Sequence, residues 1–211
     1  EGFKKNMKID QKCKICRRAG EKLFLKGERC YSPKCAMVRN ATTPGMHGRK
    51  RSNLSEYGTQ LREKQKVRFA YGITEKQLSN YMTEISKRGA SGDALMSKLE
   101  RRLGNVVYKL GFASSRSIAN QMVGHGHAYV NGKKIDIHSY EVKIGDTIEI
   151  RPGSKESALF KDLKETIKKY TPPTWLVLDK GILKGEVKSL PPKEDLTTSF
   201  NTNLIIEFYS R

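Results

Sequence analysis

Apolar residues recur at three- and four-residue spacing over long parts of the chain, a pattern that predicts amphipathic helices. The first pattern, over 56–69, is interleaved with lysines and arginines and predicts a helix with one basic side. Thr74 and Gln77 then form the two ends of a capping box, which predicts the start of a second helix. This helix is expected to end near Gly89, and 89–92 is a predicted domain boundary.

A second group of helices is predicted after Asp93, which stands where it can cap a helix. Apolar side chains continue at helical spacing up to Gly111 and predict one helix over 93–110. Its apolar positions are Leu95, Met96, Leu99, Leu103, Val106, Val107 and Leu110. Either Ser114 or Ser115 is expected to cap the shorter helix that follows.

The pattern then changes from helical spacing to short strands. Residues 128–130 and 133–137 flank Asn131 and Gly132, a pair typical of a type I′ hairpin turn. Residues 147–150 alternate between apolar and polar side chains and predict a further strand. Two helices followed by a small antiparallel sheet are therefore expected.

The last quarter of the chain predicts one more helix and more of the sheet. Helical spacing runs over 157–170, and a pair of prolines ends the helix. The apolar run 175–178 predicts a strand in which Trp175 belongs to the core, and 186–187 is expected to pair nearby. The predicted fold class is α+β.

The net charge of the chain indicates the class of molecule that it binds. The 211 residues include 41 Lys+Arg and 22 Asp+Glu, a formal net charge of +19. Nineteen of these cations and only six of the acids lie in the first 70 residues. Such a balance favours a polyanion as the binding partner. Nucleic acid is the first candidate and anionic lipid the second, and the alternative is a surface whose charge serves solubility alone.

The apolar content bounds the architecture. Hydrophobic residues make up 36% and aromatic residues 8% of the chain, which suits two modest cores better than one large core. No stretch approaches 18 consecutive apolar residues, and 1–12 lacks the apolar run of a signal peptide. We therefore expect a cytoplasmic protein that neither spans nor crosses a membrane.

All four cysteines, Cys13, Cys16, Cys30 and Cys35, lie near the front as two short pairs separated by a loop. Two such pairs can wrap one tetrahedral ion, so the pattern predicts a zinc site, with an iron–sulfur cluster as the alternative. Two disulfides are disfavoured in a reducing compartment. Because four thiolates would close the coordination shell, the predicted metal is structural.

The segment after the cysteines is punctuated by glycines and a proline and carries the cluster Arg49, Lys50 and Arg51. Such a segment is either a solvated linker or an arm that orders on RNA. The surrounding positive charge favours RNA, and these three side chains are candidate RNA contacts. The basic side of the first helix adds four further candidates, Tyr57, Arg62, Lys64 and Lys66.

The central module resembles the S-four RNA-binding domain over 97–151. The motifs that carry this resemblance are Arg101-Arg102-Leu103, Gly111-Phe112-Ala113, Ser115-Arg116, His125-Gly-His127 and Val130-Asn131-Gly132. The domain also occurs in pseudouridine synthases, tyrosyl-tRNA synthetases and a heat-shock protein of stalled ribosomes. It therefore implies RNA without identifying the function.

The motifs outside that module resemble one family, small ribosomal subunit protein four, in its four-cysteine bacterial branch. They are the stretches 20–27, 44–48, 55–66 and 207–211. The resemblance implies a structural ribosomal protein that performs no chemistry. It also implies early binding to the five-prime domain of small-subunit rRNA and nucleation of the subunit body.

The resemblance implies partners and site residues as well. Small-subunit protein five is the expected protein partner, at a contact that affects decoding accuracy, and Arg49–Arg51 correspond to a region that lines the mRNA entry channel. No small-molecule substrate is expected. The implied RNA contacts of the central module are Arg101, Arg102, Ser115, Arg116, Gln121, His125, His127, Asn131 and Lys133.

Some of these residues have simpler interpretations. Arg101 and Arg102 can solvate a helix face, His125 can cap a loop, and Asn131 can serve the turn. The sequence also departs from the family pattern at Gly104, where the family usually has Asp, and at Asn120, where a basic residue is common. Gly104 is expected to weaken its helix unless another group approaches closely.

Four ranges summarise the expected organisation. They are a metal-binding segment (1–45), a helical rRNA-binding domain (46–92), the S-four module (93–188) and a return to the helical domain (189–211). Two other functions fit the sequence less well. An RNA-modifying or aminoacylating enzyme needs a catalytic domain for which there is no room, and a zinc-dependent DNA regulator needs a single basic recognition helix, which the broad charge distribution does not favour.

Overall fold

The computed structural model describes residues 10–48, 53–87, 89, 92–154, 157, 160, 163–196 and 200–210. These residues form helices and an antiparallel sheet, which confirms the α+β class. They divide into two compact units. The first unit takes in the described parts of Glu1–Leu95 and Thr198–Arg211, and the second those of Met96–Thr197.

The first unit is helical. Its helices are α1 (Lys12–Ala19), α2 (Glu28–Tyr31), α3 (Ala36–Arg39), α4 (Glu56–Tyr71), α5 (Glu75–Ser86) and the C-terminal helix α10 (Thr202–Ser210). The predicted capping box is confirmed, because Thr74 accepts from the Gln77 N–H and the Gln77 side chain accepts from the Thr74 N–H. Ser55 caps α4 through the Gly58 N–H. Helices α1 and α2 contain three of the cysteines, and the fourth immediately precedes α3.

The C-terminal helix α10 packs on α4 through aromatic side chains. The Phe208 ring lies 5.5 Å from the Tyr57 ring, centroid to centroid, and the Lys64 ammonium group lies 4.2 Å above the same Phe208 ring. Tyr209 donates a 2.8 Å hydrogen bond to Glu75, at the start of α5. The end of the chain therefore completes a domain that begins near its front.

The second unit combines helices with one sheet. Its elements are α6 (Gly92–Glu100), α7 (Leu103–Lys109), α8 (Arg116–Gly124), β1 (Ala128–Val130), β2 (Lys133–Lys134), β3 (Thr147–Ile150), a 3₁₀ turn (Pro152–Ser154), α9 (Leu163–Lys168), β4 (Leu176–Asp179) and β5 (Lys184–Val187). Since α6 begins before Met96, it joins the two units in sequence. Among the described helices, none is long and apolar enough to cross a membrane.

The prediction of one helix over 93–110 is wrong. Arg102 has extended backbone angles and forms a β-bridge with Glu141, which divides the segment into α6 and α7. The N–H of Leu103 donates to the Tyr140 carbonyl, and the N–H of Val142 donates to the Arg101 carbonyl. Buried apolar residues recur at helical spacing on both sides of the break, so periodicity alone could not reveal it.

The sheet is antiparallel, with strand order β2-β1-β3-β5-β4. The predicted I′ turn is confirmed by positive φ angles of 50° at Asn131 and 75° at Gly132. The return strand is shorter than the predicted 133–137 and ends at Lys134. Trp175 is 1% exposed and belongs to the core, as predicted, and β4 begins at the next residue.

The helix predicted over 157–170 begins later than expected. Ser157 forms a bend and Phe160 a 3₁₀ turn, and the α-helix starts at Leu163. The N–H of Phe160 donates to the Ser157 carbonyl, three residues back, and the buried Phe160 ring packs edge-on against His127 at 5.8 Å. This tertiary contact overrides the helical spacing of the local sequence.

Candidate nucleic-acid interface

The four cysteines lie on neighbouring short helices of the first unit. Cys13 and Cys16 lie on α1, Cys30 lies on α2, and Cys35 immediately precedes α3. All four are free thiols, and three are buried while Cys13 is half-buried. Within the described ranges, no three potential ligand side chains come together as a ready-made metal site.

The surroundings of the thiols suit a soft metal ion. Burial raises the pKa of the Cys16 thiol, the N–H of Leu23 partly offsets this, and the other three thiols raise the pKa further, so all four lie within electrostatic range of one another. The N–H of Lys26 donates to the Cys30 sulfur at 3.4 Å. A bound divalent ion would favour the thiolate forms, so the donor set fits zinc or an iron–sulfur cluster.

Two of the candidate RNA contacts on α4 are buried inside the first unit. Lys64 and Lys66 are each 6% exposed. Lys64 pairs with Glu75 at 2.8 Å, and Lys66 pairs with Glu21 at 2.8 Å and Glu63 at 2.6 Å. The structure therefore gives both ammonium groups a structural role, and RNA contact by them stays a prediction.

Charge pairing sets the titration of these groups. Burial lowers the pKa of Lys66, but hydrogen bonds to Glu21 and Glu63 outweigh it, so this pKa lies above its usual value. Burial likewise raises the pKa of Glu75, but hydrogen bonds from Lys64 and Tyr209 outweigh it and leave the pKa lowered. Both groups therefore stay charged at neutral pH.

Arg62, also on α4, lies beside a cavity and not among the buried ion pairs. It is exposed and lines the rim of a cavity of about 750 Å³ between α1 and α4, together with Lys14 and Arg18 of α1. Ile15 and Phe69 supply apolar walls. Tyr57 lies at the start of α4 and is half exposed. The cluster Arg49, Lys50 and Arg51 lies outside the described residues.

The arginines of the second unit mostly hold its fold together. Arg102 is 4% exposed, and its guanidinium group donates to His138 Nδ1 at 3.3 Å. Since a guanidinium cannot accept, His138 is neutral with its proton on Nε2. Burial lowers the pKa of His138 to about 4, and the neighbouring charge of Arg102 lowers it in the same direction.

Arg101 and Arg116 also have intramolecular partners. Arg101 donates to the Val142 carbonyl at 3.1 Å and pairs with Glu141 at 3.0 Å. Arg116 donates to Asn105 Oδ1 at 2.7 Å and lies 4.9 Å from the centre of the Tyr108 ring. Their side chains remain partly exposed, so each can also meet a phosphate at the surface.

Ser115 and Asn131 serve the fold as well. Ser115 is buried and caps α8 by accepting from the Ile118 N–H. Asn131 donates to Asp146 at 2.8 Å and accepts from the Thr147 N–H at 2.9 Å, which fixes the turn against β3. The interpretation of Asn131 as a turn residue is confirmed. RNA contact by either side chain stays a prediction.

The remaining predicted residues of the central module reach solvent. Gln121 and His125 at the end of α8, and Lys133 at the start of β2, are exposed. His127 is half-buried, with its Nδ1 2.9 Å from Ser154 Oγ. Burial lowers the pKa of His127, and the nearby His125 and Arg151 lower it further. This ring is therefore neutral at physiological pH.

Sequence reasoning missed two cations of the same region. Arg151 is exposed and interacts electrostatically with His127. Lys134 is exposed as well, and its aliphatic chain packs directly over the Gly126 backbone, which a side chain at 126 would obstruct. The available signal was the pair of lysines after the Asn-Gly turn, because successive strand residues face opposite sides.

Family comparisons agree with the resemblance in the sequence. Residues 8–100 match the family described as the ribosomal protein S4/S9 N-terminal domain, and residues 101–148 match the S4 domain. Small ribosomal subunit protein uS4 of Syntrophomonas wolfei is 53% identical over 204 residues, which cover 96% of this chain and 98% of the relative.

Two further relatives carry the same name. The protein from Geotalea daltonii is 51% identical and that from Heliobacterium modesticaldum is 49% identical, each over 200 residues. Both alignments cover 94% of this chain and 96% of the relative. The similarity therefore extends over both compact units and includes the cysteine-containing helices.

Proposed function

Since this chain belongs to the family of small ribosomal subunit protein uS4, we propose that it is a structural component of the small ribosomal subunit and binds the ribosomal RNA. It works on the ribosome, in the cytoplasm. The family is one of ribosomal proteins and not an enzyme class. The observation that carries the proposal is full-length identity near 50% to proteins of that name.

The surface proposed to meet RNA in the second unit surrounds the end of α8 and the β1–β2 hairpin. Its exposed members are Gln121, His125, Lys133, Lys134 and Arg151. They combine cations for phosphates with side chains that reach groove edges. The Asp146 carboxylate of this region is engaged in holding the turn and therefore opposes RNA less than a free carboxylate would.

In the first unit we propose contacts from Arg18 and Arg62, beside the cavity between α1 and α4, and from Arg49–Arg51. The lysines that lie deepest in α4 contribute indirectly, by fixing the helix that carries Arg62. Phosphate contacts of this kind release counterions, so we expect binding to weaken steeply as salt rises.

The finer assignments rest on the family resemblance. We propose that the RNA target is the five-prime domain of small-subunit rRNA and that binding nucleates assembly of the subunit body. We further propose that small-subunit protein five is the protein partner, with an effect on accuracy, and that Arg49, Lys50 and Arg51 line the mRNA entry channel.

One competition assay tests the RNA target. Full-length protein is bound to a five-prime-domain transcript at physiological salt, with transfer RNA and duplex DNA as competitors. Retention of the transcript against both competitors supports the proposal. Equal displacement by all three nucleic acids would contradict it, because charge alone would then account for the binding.

We also propose that Cys13, Cys16, Cys30 and Cys35 hold one structural zinc ion. The placement of the four thiols on three consecutive short helices, their electrostatic interaction and the N–H donor beside Cys30 support this assignment. When bound, the ion would link α1 to the loop around α2 and α3, segments too short to fold alone. An iron–sulfur cluster is the alternative for the same ligands.

Metal analysis combined with proteolysis tests the site. Purified wild-type protein should contain one zinc per chain, whereas Cys13→Ser and Cys30→Ser should lose it and expose the first 45 residues to protease. The second unit should stay resistant, and Ser32→Ala should behave as wild type. Visible absorption of a cluster would favour iron and sulfur, and full protease resistance of metal-free protein would contradict a structural metal.

A further inference from the structure

We propose that Phe24 and Tyr31 form a stacking platform for one unpaired base of the ribosomal RNA. This inference rests on the proposed RNA binding and adds to it the chemistry of one contact. The two rings are stacked, with centroids 5.0 Å apart and planes inclined by 28°. Neither residue is among the metal ligands or the basic motifs that the sequence singled out.

The platform faces solvent although it is aromatic. Tyr31 is 69% exposed, the largest exposed fraction among the described large aromatic side chains of either unit. Its neighbour Cys30 is buried, as are Leu23 and Leu25 on either side of Phe24. The backbone on both sides is therefore anchored, and the half-buried Phe24 ring supports the exposed Tyr31 ring from below. An exposed ring held by stacking on a half-buried one is preorganised for another planar group, because its orientation is already fixed.

The backbone at Phe24 supports a functional role. Its φ angle of 51° lies in the left-handed region, which bulky L-residues rarely adopt. Such strain persists only where surrounding contacts impose it, and it concentrates at binding sites. Here the left-handed residue lies between two buried leucines and presents its ring to Tyr31. A residue without a ring at 24 would satisfy the turn more easily but would leave Tyr31 unsupported.

The charge around the pair favours a nucleic acid over a protein partner. Four exposed cations lie in the same stretch of chain, namely Lys22, Lys26, Arg29 and Lys34, whereas Glu28 is the one exposed acid among the described residues 20–35. Aromatic rings among cations bind single-stranded RNA, because cations hold the phosphates and every base has a face that can stack. The platform therefore suits a loop or bulge of the folded RNA, not a paired helix.

The test compares Tyr31→Leu with Tyr31→Phe in full-length, metal-loaded protein bound to the five-prime-domain transcript. Tyr31→Leu should weaken binding about ten-fold, as expected for the loss of one stacked base, whereas Tyr31→Phe should stay within about two-fold of wild type. Since neither change alters charge, the slope of affinity against salt should stay the same in both variants.

Protease resistance and zinc content verify that each variant keeps its fold. A third variant, Tyr31→Trp, reports contact directly, because its emission should fall when RNA binds. The wild-type protein is the matched control, since its buried Trp175 should not respond.

The outcomes separate this inference from the proposed function. Wild-type affinity in Tyr31→Leu, or equal loss in Tyr31→Phe, would overturn the platform while leaving RNA binding intact. An unchanged Tyr31→Trp emission in the complex would also overturn it and would leave the exposed ring available to a protein partner. Failure of the wild-type protein to prefer the transcript would instead contradict the proposed function.

Discussion

Lys66 of α4 and Lys133 of the β1–β2 hairpin carry the same ammonium group, and the sequence predicts RNA contact for both. In the structure Lys66 is buried between two carboxylates, whereas Lys133 is exposed at the start of a two-residue strand. The difference lies in what covers each position. Residue type therefore does not distinguish a cation that serves the fold from one available to RNA.

The partners of the buried lysines explain why their burial could not be predicted from the local sequence. Lys66 reaches Glu21, 45 positions earlier, and Lys64 meets Phe208 of α10 near the end of the chain. Only Glu63 lies at helical spacing from Lys66. The hairpin has no such cover, because its tight turn projects β2 at the edge of the sheet.

The largest expected effect concerns a buried cation of the second unit. Arg102→Ala should lower the free energy of unfolding by about 4 kcal/mol, because it leaves a cavity and removes the hydrogen bond to His138. Urea denaturation followed by Trp175 fluorescence measures this loss. The exposed cation Arg151 supplies the control, since Arg151→Ala should change stability by less than about 0.5 kcal/mol. Similar stabilities for the two variants would remove the distinction between internal and surface cations.

Acid should destabilise the second unit through His138. Its pKa is about 6.5 when unfolded and about 4 when folded, so the unfolded chain takes up the proton first as the pH falls. Stability is fully present above pH 6.5 and declines by about 3 kcal/mol as the pH falls to 4.

Urea denaturation at several pH values measures this decline. In His138→Asn the same pH range should show a much smaller change, because that side chain does not titrate. An equal decline in both proteins would mean that other groups cause it.

A smaller effect is expected where α10 meets the rest of the first unit. Glu75→Gln should cost about 2 kcal/mol, because it leaves the buried Lys64 ammonium without its carboxylate and weakens the bond from Tyr209. The depressed pKa of Glu75 predicts that this stabilisation is present above about pH 4.5 and is lost as the pH falls through the lower folded value.

Thermal unfolding followed by circular dichroism checks this loss. The matched control is Glu194→Gln, since Glu194 is exposed and lies in the other unit. A Glu75→Gln variant as stable as that control would show that the aromatic contacts alone hold Lys64.

The smallest stability change is expected at the hairpin. Lys133→Ala should leave the free energy of unfolding within about 0.5 kcal/mol of wild type. It should nevertheless weaken RNA binding and reduce the slope of log affinity against log salt concentration by about 1. Binding measured over a series of salt concentrations gives the slope. An unchanged slope would exclude Lys133 from the RNA surface.

Local chemistry accounts for the parts of the fold that the sequence predicted well. The capping box at Thr74, the turn at Asn131 and the cap at Ser115 depend on neighbours within three residues or on preferred backbone angles. The break after α6 depends instead on pairing between Arg102 and Glu141, about 40 positions away. Spacing within a window cannot register such a contact.

The same limit applies to the candidate site. Residue type and turn geometry sufficed to predict the cysteines as metal ligands and the hairpin lysine as an RNA contact, and both assignments stay predictions. The sequence did not reveal that Gly104 and Asn120, the two departures from the family pattern, lie against each other, with the Asn120 side chain where a side chain at 104 would project. The absent side chain at 104 thus makes room for its counterpart on the next helix.

The packing of α10 on α4 also sets an order of events during synthesis. Tyr209 and its partner Glu75 are 134 positions apart, and the entire second unit is made between them. While the chain emerges from the ribosome, the second unit can fold as soon as its last strand is available. The first unit must wait for α10, so we expect newly made chains to carry an incomplete first unit beside a finished second one.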